Sequence, residues 1–324
     1  MASGTIETKT IWMNGKLVDA AGATVPFLTS GFHYGIGVFE GIRCYATPDG
    51  PAVFRLREHV ERLLDSATCL GFREIPWSAD DLIEAVDQTV QANGYDECYI
   101  RPLIWLEGGG WNLNIDGGKP GIGIAAWPWN HYLGADVLEK GVRANVSSVT
   151  RHHANVTATK AKISGNYVNS FLAKTESVRL GFDEAIMLDP SGYVAECTGA
   201  NIFLVRDGKI VTPPSALVLE GITRDSILTL ASDLGIPAAE KPVSRDQLYI
   251  ADEVFVCGTA AECVGLREID FRKIGSGVAG PVTRSLQKAF HAAVSGAHLR
   301  STEWCHLVSA GERPKVAARF GRRG

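Results

Sequence analysis

Residues 97–106 read ECYIRPLIWL, an apolar run of strand length broken once by Arg101. A run this apolar and this short reads as a buried strand. GIGIAAWPW at 121–129 reads as a second one. No apolar stretch approaches the roughly 20 residues of a spanning helix. The core must therefore be built from such strands and from the amphipathic helices between them. A guanidinium carried into that core needs acceptors of its own.

The flanking segments fit this picture. IWMNGKLV has the Asn-Gly turn of a hairpin between two apolar arms. RLREHVERLLDSATCLGF puts Leu56, Val60, Leu63, Leu64, Ala67 and Leu70 on one helical stripe that stops at Gly71. SADDLIEAVDQTVQANG predicts a helix with Ser78 as N-cap and a stop at Asn93-Gly94. Beyond WNHYLGADVLEKG the pattern becomes strand-rich: GFDEAIMLD, GYVAECTGANIFLVRDGKIVTP and DEVFVCGTAAE, with turns at Pro190-Ser191-Gly192 and Asp207-Gly208. Helices intervene at GNYVNSFLAKTESVRLG, GITRDSILTLASDLG and GPVTRSLQKAFHAAVSG. Strands clustered this way predict an α+β protein of two domains, 1–130 and 137–308, joined by a linker at 131–136. The basic tail 309–324 has little to bury and reads as frayed or disordered.

The composition is that of an ordinary globular chain: 324 residues, 45% hydrophobic, 21% charged, net charge -4. That balance gives no reason to expect nucleic acid or an anionic membrane as a partner. MASGTIETKT lacks the basic end and apolar core of a signal peptide, and the seven cysteines are scattered with no C-x-x-C. Both predict reduced thiols and a cytoplasmic protein. No metal-ligand spacing is present; RHHAN at 151–155 is a lone adjacent pair and reads as loop.

Five features could carry chemistry. TATKAKISGNYVNS holds Lys160 and Lys162 two apart, just before a helix start. In a strand both would point the same way, so spacing does not choose between them. Glu196 in VAECTGANIF is a carboxylate among small and apolar neighbours, and if buried it needs a cationic or hydrogen-bonding partner. EGITRDSI is a Gly-initiated helix start with Thr223 in its first turn, where free N–H groups can meet a phosphate. Gly258-Thr259-Ala260 is a tight small-residue turn after a strand, and Arg62 sits at the edge of its helix stripe. Each has an ordinary structural reading: a surface charge, an edge residue, a cap, a turn, a helix arginine. Together they supply what pyridoxal phosphate requires, a Schiff-base lysine, an acid for the ring nitrogen and donors for the phosphate. The residues alone leave both readings open.

A resemblance separates them. HYGIGVFEGIRCY, FRLREHVERL, YIRPLIW, WPWNHYLGA, AKISGNYVNS, ECTGANIF, EGITRDSI and ADEVFVCGTAAE occur in the order seen in branched-chain amino-acid aminotransferases, of pyridoxal-phosphate fold type IV. The chain resembles that family from about residue 10 to about 305. The family pattern K-x-x-G-N-Y selects Lys162, with Tyr167 five residues on, and leaves Lys160 a surface charge. The resemblance implies that Glu196 pairs with the pyridine nitrogen, that Arg62 binds the phosphate, helped by Ile222, Thr223 and Thr259, and that Leu219 is cofactor-binding. Tyr167 is implied at the ring hydroxyl. Tyr34, Phe39, Gly41, Trp129 and Tyr132 are implied as the side-chain wall, Tyr99 with Thr259-Ala260 as the α-carboxylate site, and Arg101 with Tyr34 as the acceptor of glutamate's distal carboxylate. Arg43 is given a supporting place.

The implied reaction is amino-group transfer between branched-chain L-amino acids (Leu, Ile, Val) and 2-oxoglutarate through a Lys162 Schiff base. The implied assembly is a homodimer or larger. A D-amino-acid or (R)-amine transaminase of the same fold type is the alternative, and a non-catalytic homologue lies outside the class. Departures from the family pattern fall at Cys197, Ala200 and Glu220, the last expected to oppose the phosphate charge unless it points away. The loop EGGGWNLNIDGG, read as an interdomain lid, also departs.

Overall fold

A computed structural model describes residues 7–109, 111–129 and 137–309. The run at 97–106 becomes the strand Cys98–Glu107, paired antiparallel from Tyr99 to Glu107 with Lys119–Trp127. These two lie at the centre of a sheet with eight strands among the described residues. The predicted hairpin is its edge, Thr10–Met13 with Lys16–Asp19, turning at Asn14 (φ 49°) and Gly15 (φ 92°). Positive φ at both turn residues is what an Asn-Gly pair tolerates.

On the other side of the central strand, Gly37–Phe39 and Ile42–Thr47 pair with it end to end, and the chain breaks between them at Glu40-Gly41. Helices Leu56–Leu70 and Ala79–Asn93 cover one face. The stripe residues Leu56, Val60, Leu63 and Ala67 are buried as their spacing predicts. Ser78 forms a capping box with Asp81, and Gly71 and Gly94 close the two helices in the left-handed conformation.

The second sheet has nine strands among the described residues and is mixed. Val142–Val146 runs parallel to both Glu184–Leu188 and Glu262–Ile269, while Glu253–Gly258 is antiparallel to Glu262–Ile269 and to Asn201–Arg206. Helices Ile222–Asp233 and Pro281–Val294 pack on it over a core in which Phe203 and Phe255 stack at 4.8 Å. The expected α+β class is what the structure has.

Two expectations need correction. EGGGWNLNIDGG joins two antiparallel neighbours of the first sheet, so it is a hairpin loop and not a connection between domains. The last strand, Cys305–Leu307, does not stay with the second sheet but pairs with Gly50–Phe54 at the edge of the first. The linker expected at 131–136 lies outside the described residues, as does the tail beyond Ser309.

Candidate active site

Lys162 is held by its backbone before its side chain does anything. Its N–H donates to Ser66 Oγ (3.0 Å), and its carbonyl accepts from the Phe39 amide (3.0 Å). One residue later Ile163 bridges to Val38, and a tight turn, Ser164–Asn166, starts the helix Tyr167–Arg179. Gly35 passes so close to this turn that a Cβ on it would stand 2.9 Å from Gly165 Cα. The half-buried Lys162 ammonium reaches Tyr167 Oη at 2.6 Å and lies over the Phe39 ring. Residues 160–162 are not a strand, so the two lysines diverge, and Lys160 turns to the segment 215–220.

Glu196, buried in the strand Val194–Cys197, has the cationic partner that burial demands. Arg151 Nε donates to its Oε1 at 2.7 Å. Its Oε2 accepts from Asn201 Nδ2 and from the Leu219 amide, both at 3.3 Å. Burial pushes the Glu196 carboxyl up, and Arg151 works against that rise. Arg151 Nη1 also meets His152 Nδ1 at 2.7 Å; burial and the neighbouring guanidinium hold that imidazole down at about 4. Arg151 was hidden in a stretch that reads as loop. The signal for it was Glu196 itself, a carboxylate that could not stay buried alone.

The helix Ile222–Asp233 begins at Gly221 with no side chain capping its first amides. A Cβ at Gly221 would lie 2.0 Å from Asn201 Oδ1. Arg62 reaches this end of the cavity, but much of its guanidinium is already engaged. Nε and Nη2 donate to Glu40 Oε1 and Oε2 at 2.6 and 2.9 Å, and Nη1 donates to the Glu220 carbonyl at 2.7 Å. Two of the five N–H groups of an arginine are left for an anion. Glu40 also takes His59 Nδ1 at 2.8 Å. Burial alone would raise the Glu40 carboxyl, but Arg62 and His59 outweigh it and hold it far below the ordinary carboxylate range. The Glu220 carboxylate points away, to Lys160 at 2.9 Å.

These groups line one cavity: Lys162, Arg62, Tyr167, Glu196, Leu219, Ile222, Thr223 and Thr259, together with Arg151 and Asn201. A second cavity shares Lys162, Tyr167 and Thr259 and is walled by Phe39, Gly41, Tyr99, Arg101, Trp129 and Ala260. Tyr99 lies against Trp129 (4.7 Å between rings) and fills the space a Cβ on Gly41 would need, 1.9 Å from its Oη. Arg101 Nη2 donates to Tyr99 Oη at 3.0 Å, its guanidinium covers the Phe39 ring, and its buried Nε has no hydrogen-bond partner among the described residues. Of the departures from the family pattern, Cys197 lines the first cavity and Ala200 lines both, and the Cys197 amide donates to the Ala200 carbonyl at 2.8 Å.

Two described candidates, Tyr34 and Arg43, stand outside both cavities, and Tyr34 is the more exposed. It packs edge-on against Trp111 at 5.9 Å, while Arg101 pairs with Tyr99. Tyr132 lies outside the described residues. Arg43 stands 3.4 Å from Glu262 and lines neither cavity.

The profile of the family described as Amino-transferase class IV matches residues 37–269. The chain belongs to the class IV aminotransferases. This aminotransferase is 49% identical, over 92% of its length and 97% of the relative's, to a protein of Pseudomonas aeruginosa named branched-chain-amino-acid aminotransferase. Its structure is similar to that of a T.th. branched-chain amino acid aminotransferase with pyridoxamine 5'-phosphate. That match has a TM-score of 0.91 and 47% identity, over 94% of this chain and all of the other. A second T.th. branched-chain amino acid aminotransferase structure, complexed with N-(5'-phosphopyridoxyl)-L-glutamate, matches with a TM-score of 0.90 and 46% identity, at the same coverage.

The cofactor of this class IV aminotransferase is pyridoxal 5'-phosphate, and its own residues fit that group. An uncapped helix start with Thr223 suits a phosphate, a buried carboxylate backed by Arg151 suits a ring N–H, and Lys162 stands between them and the second cavity.

Proposed function

We propose that this aminotransferase moves the amino group between branched-chain L-amino acids and 2-oxoglutarate. The observation that carries the reading is the second cavity, an aromatic wall beside Lys162 with Arg101 as the one arginine among its described residues. Such a pocket takes an aliphatic side chain, and Arg101 gives a distal carboxylate a partner as well. When bound, pyridoxal phosphate supplies an electron-poor ring that stabilises negative charge at the substrate's Cα.

The chain's own residues do the rest. Glu196, charged and braced by Arg151, answers the ring nitrogen's proton. Arg62, Thr223, Thr259 and the first amides of the Ile222 helix hold the phosphate, and Tyr167 orients Lys162. Lys162 Nζ would carry the proton from the substrate's Cα to the cofactor in one half-reaction and in the opposite direction in the other. Tyr99 and the Thr259-Ala260 turn receive the α-carboxylate, with Phe39 and Trp129 against the side chain.

The same reading makes the enzyme a cytoplasmic homo-oligomer of two domains. Its seven unpaired cysteines support the compartment. Two exposed apolar groups, Phe27, Phe32 and Tyr34 on one side and Val168, Phe171 and Leu172 on the helix after Lys162, support association. The two sheets support the domain division. No described helix is long and apolar enough to cross a membrane.

A panel of donors with 2-oxoglutarate as acceptor tests the substrate: L-leucine, L-glutamate, D-alanine and an (R)-arylalkylamine. Turnover of L-leucine and L-glutamate is expected. Turnover of D-alanine or the amine alone would replace this reading with the alternative.

A further inference from the structure

Lys160 is the lysine that the family pattern passes over, and its ammonium is not a free surface charge. It donates to the carbonyl of Ser215, to the carbonyl of Val218 (3.3 Å) and to Glu220 Oε1 (2.9 Å). All three acceptors belong to one short segment, 215–220. That segment makes three hydrogen bonds with residues lining the cofactor cavity: the Leu219 amide donates to Glu196, and the Leu219 and Glu220 carbonyls accept from Asn201 Nδ2 and Arg62. It then runs into Gly221, which opens the helix whose first amides face the phosphate end. At its other end, Lys160 is two residues from Lys162, whose backbone is fixed by Ser66 and Phe39.

We propose that Lys160 is a positioning residue for the cofactor, a latch that holds the segment 215–220 and the Gly221 helix start in register with Arg62. The inference rests on the reading that the phosphate lies at that helix start. The latch has a second effect through charge. Glu220 is one residue from the helix start, and a carboxylate there repels a phosphate dianion unless it is neutralised. Lys160 neutralises it and turns it outward. Both side chains are partly in solvent, at 40% and 62% relative exposure, so the ion pair itself contributes little. The two carbonyl acceptors add charge-assisted hydrogen bonds, and the summed effect on cofactor affinity is expected to be modest, about three- to tenfold.

The test titrates apoenzyme with pyridoxal 5'-phosphate and with pyridoxal, which lacks the phosphate, for the parent, Lys160→Met and Lys160→Arg. Lys160→Met should weaken pyridoxal phosphate about three- to tenfold while pyridoxal changes less than twofold. Lys160→Arg, which keeps the charge and the donors, should restore the affinity. Unchanged affinity in Lys160→Met, an equal loss for both ligands, or no rescue by arginine would each overturn the latch. A parent apoenzyme that takes up no pyridoxal phosphate would instead overturn the reading of the site itself.

Discussion

Arg62 lays one edge of its guanidinium along the carboxylate of Glu40, Nε to Oε1 at 2.6 Å and Nη2 to Oε2 at 2.9 Å. Glu40 is fully buried, and His59 closes its remaining side at 2.8 Å. Glu40→Gln leaves Arg62 without its counter-charge and should cost about 3–5 kcal/mol of stability at neutral pH. The sign with pH follows from the lowered carboxyl. A depressed carboxylate contributes stability that is present above its ordinary value of 4.5 and lost as pH falls toward its folded value. Denaturant unfolding of parent and variant at pH 7 and at about pH 3.5 should therefore show a gap that narrows in acid. A gap of the same size at both pH values would refute the charge-pair account.

Lys162 and Lys160 are close in sequence and should behave differently. Lys162→Ala should abolish turnover and the visible absorbance of the lysine-bound cofactor. Lys160→Ala should keep that absorbance when the cofactor is saturating. Spectra of the two purified variants decide it, and the opposite pattern would exchange the roles of the two residues.

Glu196 depends on Arg151 for its charge in a buried site. Glu196→Gln should cost on the order of 3 kcal/mol in kcat/KM, the scale of one preorganised electrostatic partner, with cofactor affinity less affected. In Arg151→Met the burial that already raises the Glu196 carboxyl acts unopposed by its closest cation. The acidic limb of the pH profile of kcat/KM should then move to higher pH. An unmoved limb would mean that Arg151 does not set the state of Glu196.

Arg101 should separate the two donors. Glutamate brings a carboxylate to the guanidinium and leucine does not. Arg101→Ala should hurt the glutamate half-reaction by about 2–5 kcal/mol more than the leucine one. Stopped-flow half-reactions with each donor measure the gap, and equal losses would remove Arg101 from distal-carboxylate recognition.

Much of this site was legible because local chemistry forced it. The helix stripe at 56–70, the Ser78 cap and the Asn-Gly hairpin follow from period, caps and positive φ, and all are in place. Lys162 was legible only through its family motif, since the segment is neither strand nor helix and spacing carried no directional information. Glu40, Ser66, Arg151 and Asn201 were not legible as site residues. Three act through a partner distant in sequence, Glu40 on Arg62, Ser66 on Lys162 and Arg151 on Glu196, while Asn201 meets Glu196 from five residues away across the turn between their strands. A one-dimensional pattern shows that a buried charge needs a partner but not where the fold brings one. Tyr34 shows the converse, a motif residue that the fold sets on the surface against Trp111.

The return of Cys305–Leu307 to Gly50–Phe54 has a consequence for biosynthesis. These strands are about 250 residues apart, from Phe54 to Cys305. At ribosomal speeds of about 5–20 residues per second, one side of Gly50–Phe54 stays unpaired for about 12 to 50 seconds after it is made. Phe54 waits as long for Trp304, whose ring it meets at 5.8 Å. A nascent or truncated chain that stops short of Cys305 thus presents an open strand edge with an uncovered aromatic beside it, the kind of surface on which other chains pair.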